Sequence, residues 1–195
     1  MGVDMATVST VRLNTKGLDA IIDSFNGKPV SRVLVGIGSN HKDVQEYATY
    51  VEYGWVQRVT EKQQWWFRGQ GIKDPPKAGA ALVSQPRPFL RGTLMAEASN
   101  WAKGFAASLR ESRDIHRSLV ELGTQAMQDV QDTIRRGGTR NGQFPERKNL
   151  TMELYAADAA RHKVSKGASA ISNSSTRQPL TLSGALQNSI AFQVD

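Results

Sequence analysis

Two long stretches of helical periodicity, joined by almost nothing, constrain this chain more than any other feature. From Leu90, the apolar residues Leu94, Trp101, Phe105 and Leu109 recur at helical intervals to about Glu111. From about Asp114 to Arg136, Ile115, Leu119, Leu122, Ala126, Val130 and Ile134 follow at spacings of 4, 3, 4, 4 and 4. Pro88 suits a helix start and Asp114 an N-cap, while Arg135 and Arg136 suit the negative end of a helix dipole just before Gly137-Gly138. The spacing predicts an antiparallel helix pair laid over a sheet.

Strands for that sheet are found at both ends. Ala6–Leu13 (ATVSTVRL) and Pro29–Ile37 (PVSRVLVGI) are rich in β-branched residues. Between them, Thr15 can cap a helix from Lys16 to about Phe25, with Leu18, Ile21, Ile22 and Phe25 on one face and Asn26-Gly27 ending it. His41–Tyr53 reads as a further helix, carrying Val44, Tyr47, Ala48 and Val51 on one side and stopped by Gly54. At the other end, Ser183 can cap a turn carrying Leu186, and Ile190, Phe192 and Val194 alternate as a closing strand.

The fold class that follows is α+β: a small mixed β-sheet packed against two long helices. We read one domain over residues 1–195, with a core of about 6–54, 86–136 and 179–195. Residues 55–85 are an insertion, read as a long hairpin or extended loop over Trp55–Ile72 and an irregular, proline-rich connector over Asp74–Pro88. Residues 137–178 are an extended arm, with a short helix near Leu150–Arg161 and a nearly low-complexity stretch at Ser165–Gln178.

Composition narrows the function classes. Apolar residues make up 39%, and mean hydropathy is −0.44, so part of the length buries little by itself. No run of about 18 apolar residues exists to span a bilayer, and the N-terminus has no basic leader before an apolar run. With no cysteine, there is no disulfide framework, thiolate nucleophile or cysteine-built metal site, which fits a reducing cytoplasm. The net charge of +7 lies mainly in the middle and the tail: residues 55–114 hold 10 basic and 5 acidic groups, and residues 137–195 hold 7 and 4. Solvated surface, contact with a polyanion and salt-dependent subunit contacts all account for that surplus.

Catalytic patterns are missing. Gly36 and Gly38 follow a strand, but His41 stands where a dinucleotide loop needs its third glycine. Gly137-Gly138 precedes Thr139-Arg140, and so makes no phosphate loop. His41, His116 and His162 are isolated in sequence, and no GxSxG elbow occurs. Glu46 and Glu52, six apart, do not face each other on a helix and read as solvated. The sequence asks for no catalytic, cofactor-binding or metal-binding residue, no cofactor and no membrane, and predicts a protein that is not an enzyme.

The segment most open to a functional reading is Trp55–Arg68, where Trp55, Trp65, Trp66 and Phe67 lie among Arg58, Lys62 and Arg68. Three readings compete. Trp55, Trp65, Trp66, Phe67 and Arg68 can anchor in a neighbouring subunit, since Trp and Arg dominate interface hot spots. They can fill the chain's own core, or they can stack on the bases of a single nucleic-acid strand.

Three further segments, in this order, resemble a known pattern. Ala48-Thr49-Tyr50-Val51-Glu52-Tyr53-Gly54 is similar to an A-x-x-x-E-[FY]-G element. Arg87-Pro88-Phe89-Leu90-Arg91 resembles an R-P-F-[LM]-R helix opening. Pro179–Ile190, with Gly184, Leu186, Ser189 and Ile190, looks like P-L-x-[DE]-[TS]-G-x-L-x-x-S-I. In these three pieces the chain resembles a family of small tailed-bacteriophage neck proteins of the tail-completion (head–tail connector, virion morphogenesis) type. The chain departs from it at Leu182, where an acidic residue is common, and in the long Trp55–Ser84 insertion. The resemblance implies a structural protein made in the host bacterial cytoplasm and built into the virion neck. It implies a six- or twelvefold ring between portal and tail, contacts with other neck, connector and tail proteins, and non-specific contact with DNA passing through the lumen.

Overall fold

The computed structural model describes residues 32–38, 42–164, 180 and 184–195. Its elements, in chain order, are β1 (Val33–Ile37), α1 (Lys42–Tyr53), β2 (Trp55–Arg58), α2 (Glu61–Gly69), β3 (Ala81–Ser84), α3 (Phe89–Ser112), α4 (Ile115–Arg136), β4 (Gly138–Thr139), β5 (Gly142–Gln143), α5 (Asn149–Val164), α6 (Ala185–Asn188) and β6 (Ile190–Val194). The architecture is α+β, with two long helices packed against strands.

The α3–α4 hairpin has the short joint that the sequence predicts. Arg113 takes a left-handed backbone at φ 54°, and its N–H donates to the Leu109 carbonyl. Asp114 then starts α4, its carboxylate accepting the Arg117 N–H at 3.1 Å. At the far end, Gly137 closes α4 at φ 68°. Ile115, Leu119, Ala126, Val130 and Ile134 are buried along α4, so its stripe faces the core.

β1 and β6 meet against α4. β1 and β6 pair antiparallel with Val35 opposite Phe192, and reciprocal backbone bonds between Arg32 and Asp195 extend the ladder. Along β6, Ile190, Phe192 and Val194 turn inward while Ala191 and Gln193 are exposed, the period-two pattern of a half-covered strand. α4 approaches closely because position 123 is glycine. A Cβ there would lie 2.3 Å from the Phe192 ring.

The main core gathers Ala48 and Val51 of α1, Phe89 of α3, Val130 and Ile134 of α4, Leu180, Leu186 of α6 and Ile190 of β6. A second, smaller cluster is Val59, Phe67 and Ile72, with Leu82, Leu150 and Leu154 packed against it.

Several expectations need correction. The strands do not form one mixed sheet: among the described residues they make three separate two-stranded antiparallel ladders, β1–β6, β2–β3 and β4–β5. The insertion is a hairpin whose connection contains a helix. Trp55 pairs with Ser84 and Arg58 with Ala81, so the presumed proline-rich connector supplies a strand. Residues 61–69 are helical because Thr60 and Gln63 form a reciprocal capping box at 2.9 and 3.2 Å. Residues 137–164 are more ordered than an extended arm: the helix expected near Leu150–Arg161 is there as the 16-residue α5, and the β4–β5 hairpin precedes it. The turn carrying Leu186 has Gly184 at its N-cap, at φ 73°. The expected strand Ala6–Leu13, the helix from Lys16, the Ser183 cap and the Ser165–Gln178 stretch lie outside the described residues.

Candidate subunit interface and the junction behind it

Building the site starts at the beginning of α3. Pro88 occupies the N-cap and has no side chain to satisfy the first amide groups of the helix. Glu52, on the last turn of α1, supplies the acceptor instead. One carboxylate oxygen takes the Leu90 N–H and the other the Arg91 N–H, each at 3.0 Å. Arg91 Nε donates to the second oxygen at 3.0 Å, and Arg91 Nη2 donates to the Glu52 carbonyl at 3.2 Å. Glu52 is only 4% exposed, so the sequence reading of a solvated glutamate is wrong. A buried carboxylate is retained because a helix N-terminus and a guanidinium both compensate it.

The neighbouring residues lock the same corner. Tyr53, largely exposed, lies under the Arg91 guanidinium, 4.4 Å from ring centroid to Cζ. Gly54 turns the chain into β2 at φ 72°, where a Cβ would meet the Ser84 carbonyl oxygen at 2.6 Å. Arg87 donates from its backbone to the Val51 carbonyl at 2.9 Å, and from its side chain to the carbonyls of Pro145 and Glu146 at 2.9 and 3.1 Å. Burial lowers the Arg87 pKa from its usual value, with Tyr47 opposing and Arg147 reinforcing the shift.

Phe89 is fully buried, and Thr93 donates back to its carbonyl and lies 2.8 Å from the Thr133 hydroxyl. The C-terminal segment reaches the same core. Leu186 and Ile190 pack there, and buried Ser189 donates to the Leu186 carbonyl at 2.8 Å while its own carbonyl accepts the Gly38 N–H. Thus Glu52, Tyr53, Gly54, Arg87, Pro88, Phe89, Leu90, Gly184, Leu186, Ser189 and Ile190 come from three distant segments and build one structural junction.

The tryptophan segment divides in two. Phe67 is 6% exposed and belongs to the small core with Val59 and Ile72, so it is no anchor for a neighbour. Trp65 and Trp66 are 67% and 52% exposed, Trp66 with its ring edge-on to Phe67 at 5.2 Å between centroids, and Trp55 on β2 is also exposed. Arg68, one turn after Trp65, places its guanidinium 4.9 Å from that ring's centroid. Lys62 is exposed on the same helix. The structure therefore brings Trp65, Trp66 and Arg68 onto one outward face of α2. Residues 55–84 carry five basic and two acidic groups, so this face sits on a net positive unit.

Among the described residues, no group of three or more His, Asp or Glu is placed to hold a metal ion, and no helix is long and apolar enough to cross a membrane. Sequence reasoning missed the Glu52 cap; the available signal was a long helix opening on proline with no Ser, Thr, Asp or Asn to receive its amides. Comparison with family models, with curated proteins and with solved structures finds no match to this chain.

Proposed function

We propose that this chain is a structural protein of a tailed-bacteriophage virion, assembling as a ring in the neck between portal and tail through which DNA passes. The observation that carries the reading is the junction. The three segments that resemble neck-protein motifs are Ala48–Gly54, Arg87–Arg91 and Pro179–Ile190, far apart in sequence, and elements from all three meet in the fold. Glu52 caps the helix that Arg87-Pro88-Phe89-Leu90 opens, and Leu186 and Ile190 close the core over Phe89. That interdependence supports reading the three segments as parts of one unit.

The outward tryptophans support assembly. Two adjacent exposed indoles on a capped helix are the anchors that hot-spot energetics favours, and a head-to-tail contact repeated with closing rotation makes a ring. Positive surplus suits a surface near a phosphate backbone without base readout.

A second reading, binding of single-stranded nucleic acid, draws on the same face, where Lys62 and Arg68 flank exposed indoles. Oligonucleotide titration separates the two: single-strand binding quenches tryptophan emission and weakens steeply with salt. Electron microscopy of the purified protein and of virions tests the first reading. Rings with a central lumen, present in the particle neck, are expected; a monomer at all concentrations that is missing from particles overturns it.

A further inference from the structure

The start of α3 and the end of α4 lie together, the Thr93 hydroxyl of one 2.8 Å from the Thr133 hydroxyl of the other. The β4–β5 hairpin folds over the same end, where a Cβ on Gly92 would stand 3.0 Å from the Thr139 side chain. Thr139 pairs with Gly142, so Arg140 and Asn141 form a two-residue turn at the hairpin tip. Charge collects here. Residues 132–148 hold five basic and two acidic groups. The ion pairs are layered, with carboxylates inside and guanidinium groups outside. Arg140 meets Glu97 at 3.1 Å, their side chains 65% and 12% exposed. Arg135 and Arg136 share Asp132, at 62% and 67% against 34%. Arg91 on Glu52 repeats the pattern. One carboxylate cannot neutralise two guanidinium groups, and an inner carboxylate orients an arginine without covering it.

We propose that Arg135, Arg136 and Arg140 form a contact surface for the phosphate backbone of duplex DNA, binding without base readout. The negative end of α4 accounts for Arg135 and Arg136 as dipole partners, but not for Arg140, which lies beyond it on the hairpin. Arginine's planar fork of donors matches phosphate oxygens. Aromatic faces at this end are engaged: Tyr53 lies beneath Arg91, and Phe144 packs against the main core. The surface therefore offers charge and donors rather than the stacking platforms a single strand needs. Naming DNA as the polyanion rests on the neck reading; the layered charge does not. In a ring, this end of the helix pair faces the lumen.

Fluorescence anisotropy of a labelled mixed-sequence duplex, titrated with full-length protein across a salt series, tests the proposal. R135Q/R136Q/R140Q should bind at least about tenfold more weakly than the parent, and the log–log salt slope should fall by about 3, one for each lost phosphate contact. K62Q/R68Q/K73Q removes the same charge from exposed positions on the insertion, and should stay within about threefold of the parent. If the first variant loses the parent's circular-dichroism spectrum, R136Q/R140Q replaces it, with a slope change of about 2. A parent without salt-dependent duplex affinity overturns the proposal. So does an arginine variant that binds like the parent, or an insertion variant that loses as much. Electron microscopy of the same samples separates this from the neck reading. Rings with duplex affinity unchanged in the arginine variant overturn this surface alone; the expected loss in a chain that forms no ring upholds it and contradicts the ring.

Discussion

Glu52 and Arg91 are joined three times: the carboxylate accepts the Arg91 backbone N–H and its Nε, and the Glu52 carbonyl accepts Nη2, at 3.0, 3.0 and 3.2 Å. Through this pair the end of α1 fixes the start of α3. The Leu90 N–H on the other carboxylate oxygen completes the arrangement.

Glu52→Gln keeps the shape but turns an amide NH2 toward backbone donors. The expected loss is about 2 kcal/mol, the scale of a buried donor left unsatisfied. Urea unfolding with an unchanged m-value checks it. Arg91→Lys, at a half-exposed site, should cost no more than about 1 kcal/mol.

Gly123→Ala tests the contact between α4 and β6. Alanine improves helix propensity by about 1 kcal/mol, but its Cβ would collide with the Phe192 ring. The collision should win, for a net loss of about 1–2 kcal/mol. Adding Phe192→Leu should relieve it, giving a favourable coupling of about 1 kcal/mol in a double-mutant cycle by thermal unfolding.

Neighbouring aromatics should behave oppositely. Phe67→Ala empties the small core beside Val59 and Ile72 and should cost about 3 kcal/mol or more. Trp65→Ala, at an exposed position, should leave chain stability within about 0.5 kcal/mol. Equal losses for the two in denaturant melts would show that Trp65 serves the chain's own core.

Glu121 gives a pH test. The Ser108 hydroxyl first, and then Arg117, hold its carboxyl below the ordinary glutamate value by hydrogen bonding. A depressed folded value means that the contribution is present above the unfolded pKa and fades as pH falls through the folded one. Ser108→Ala should move the Glu121 carboxylate titration upward, toward the ordinary range. Side-chain NMR titration reads it directly; an unmoved midpoint contradicts the assignment.

How much of this was legible in the sequence differs by element. α4 was readable because a stripe buried along its whole length must repeat at helical spacing, and Asp114 and Gly137 punctuate it. β6 was readable from strict alternation. The insertion was misread because Trp65-Trp66-Phe67 looks like a strand, although Thr60 and Gln63 carried the capping box that predicts a helix. β3 gave no signal of its own: Ala81–Ser84 is a strand because Trp55–Arg58 pairs with it from across a helix. Glu52 was legible as the acid of the Ala48–Gly54 element, but its capping role was not, for the same reason. Its partners lie 38 and 39 residues away, and nothing local distinguishes it from a solvated glutamate.

Assembly through the α2 face is the claim on which the functional account stands. Sedimentation velocity across a concentration series, on the parent chain and on Trp65→Ala/Trp66→Ala, tests it most directly. The account predicts a discrete ring for the parent, and for the variant a folded chain whose association is weakened at least about thirtyfold, the scale of one lost hot spot. A parent that stays monomeric throughout, or a variant that assembles identically, would contradict it.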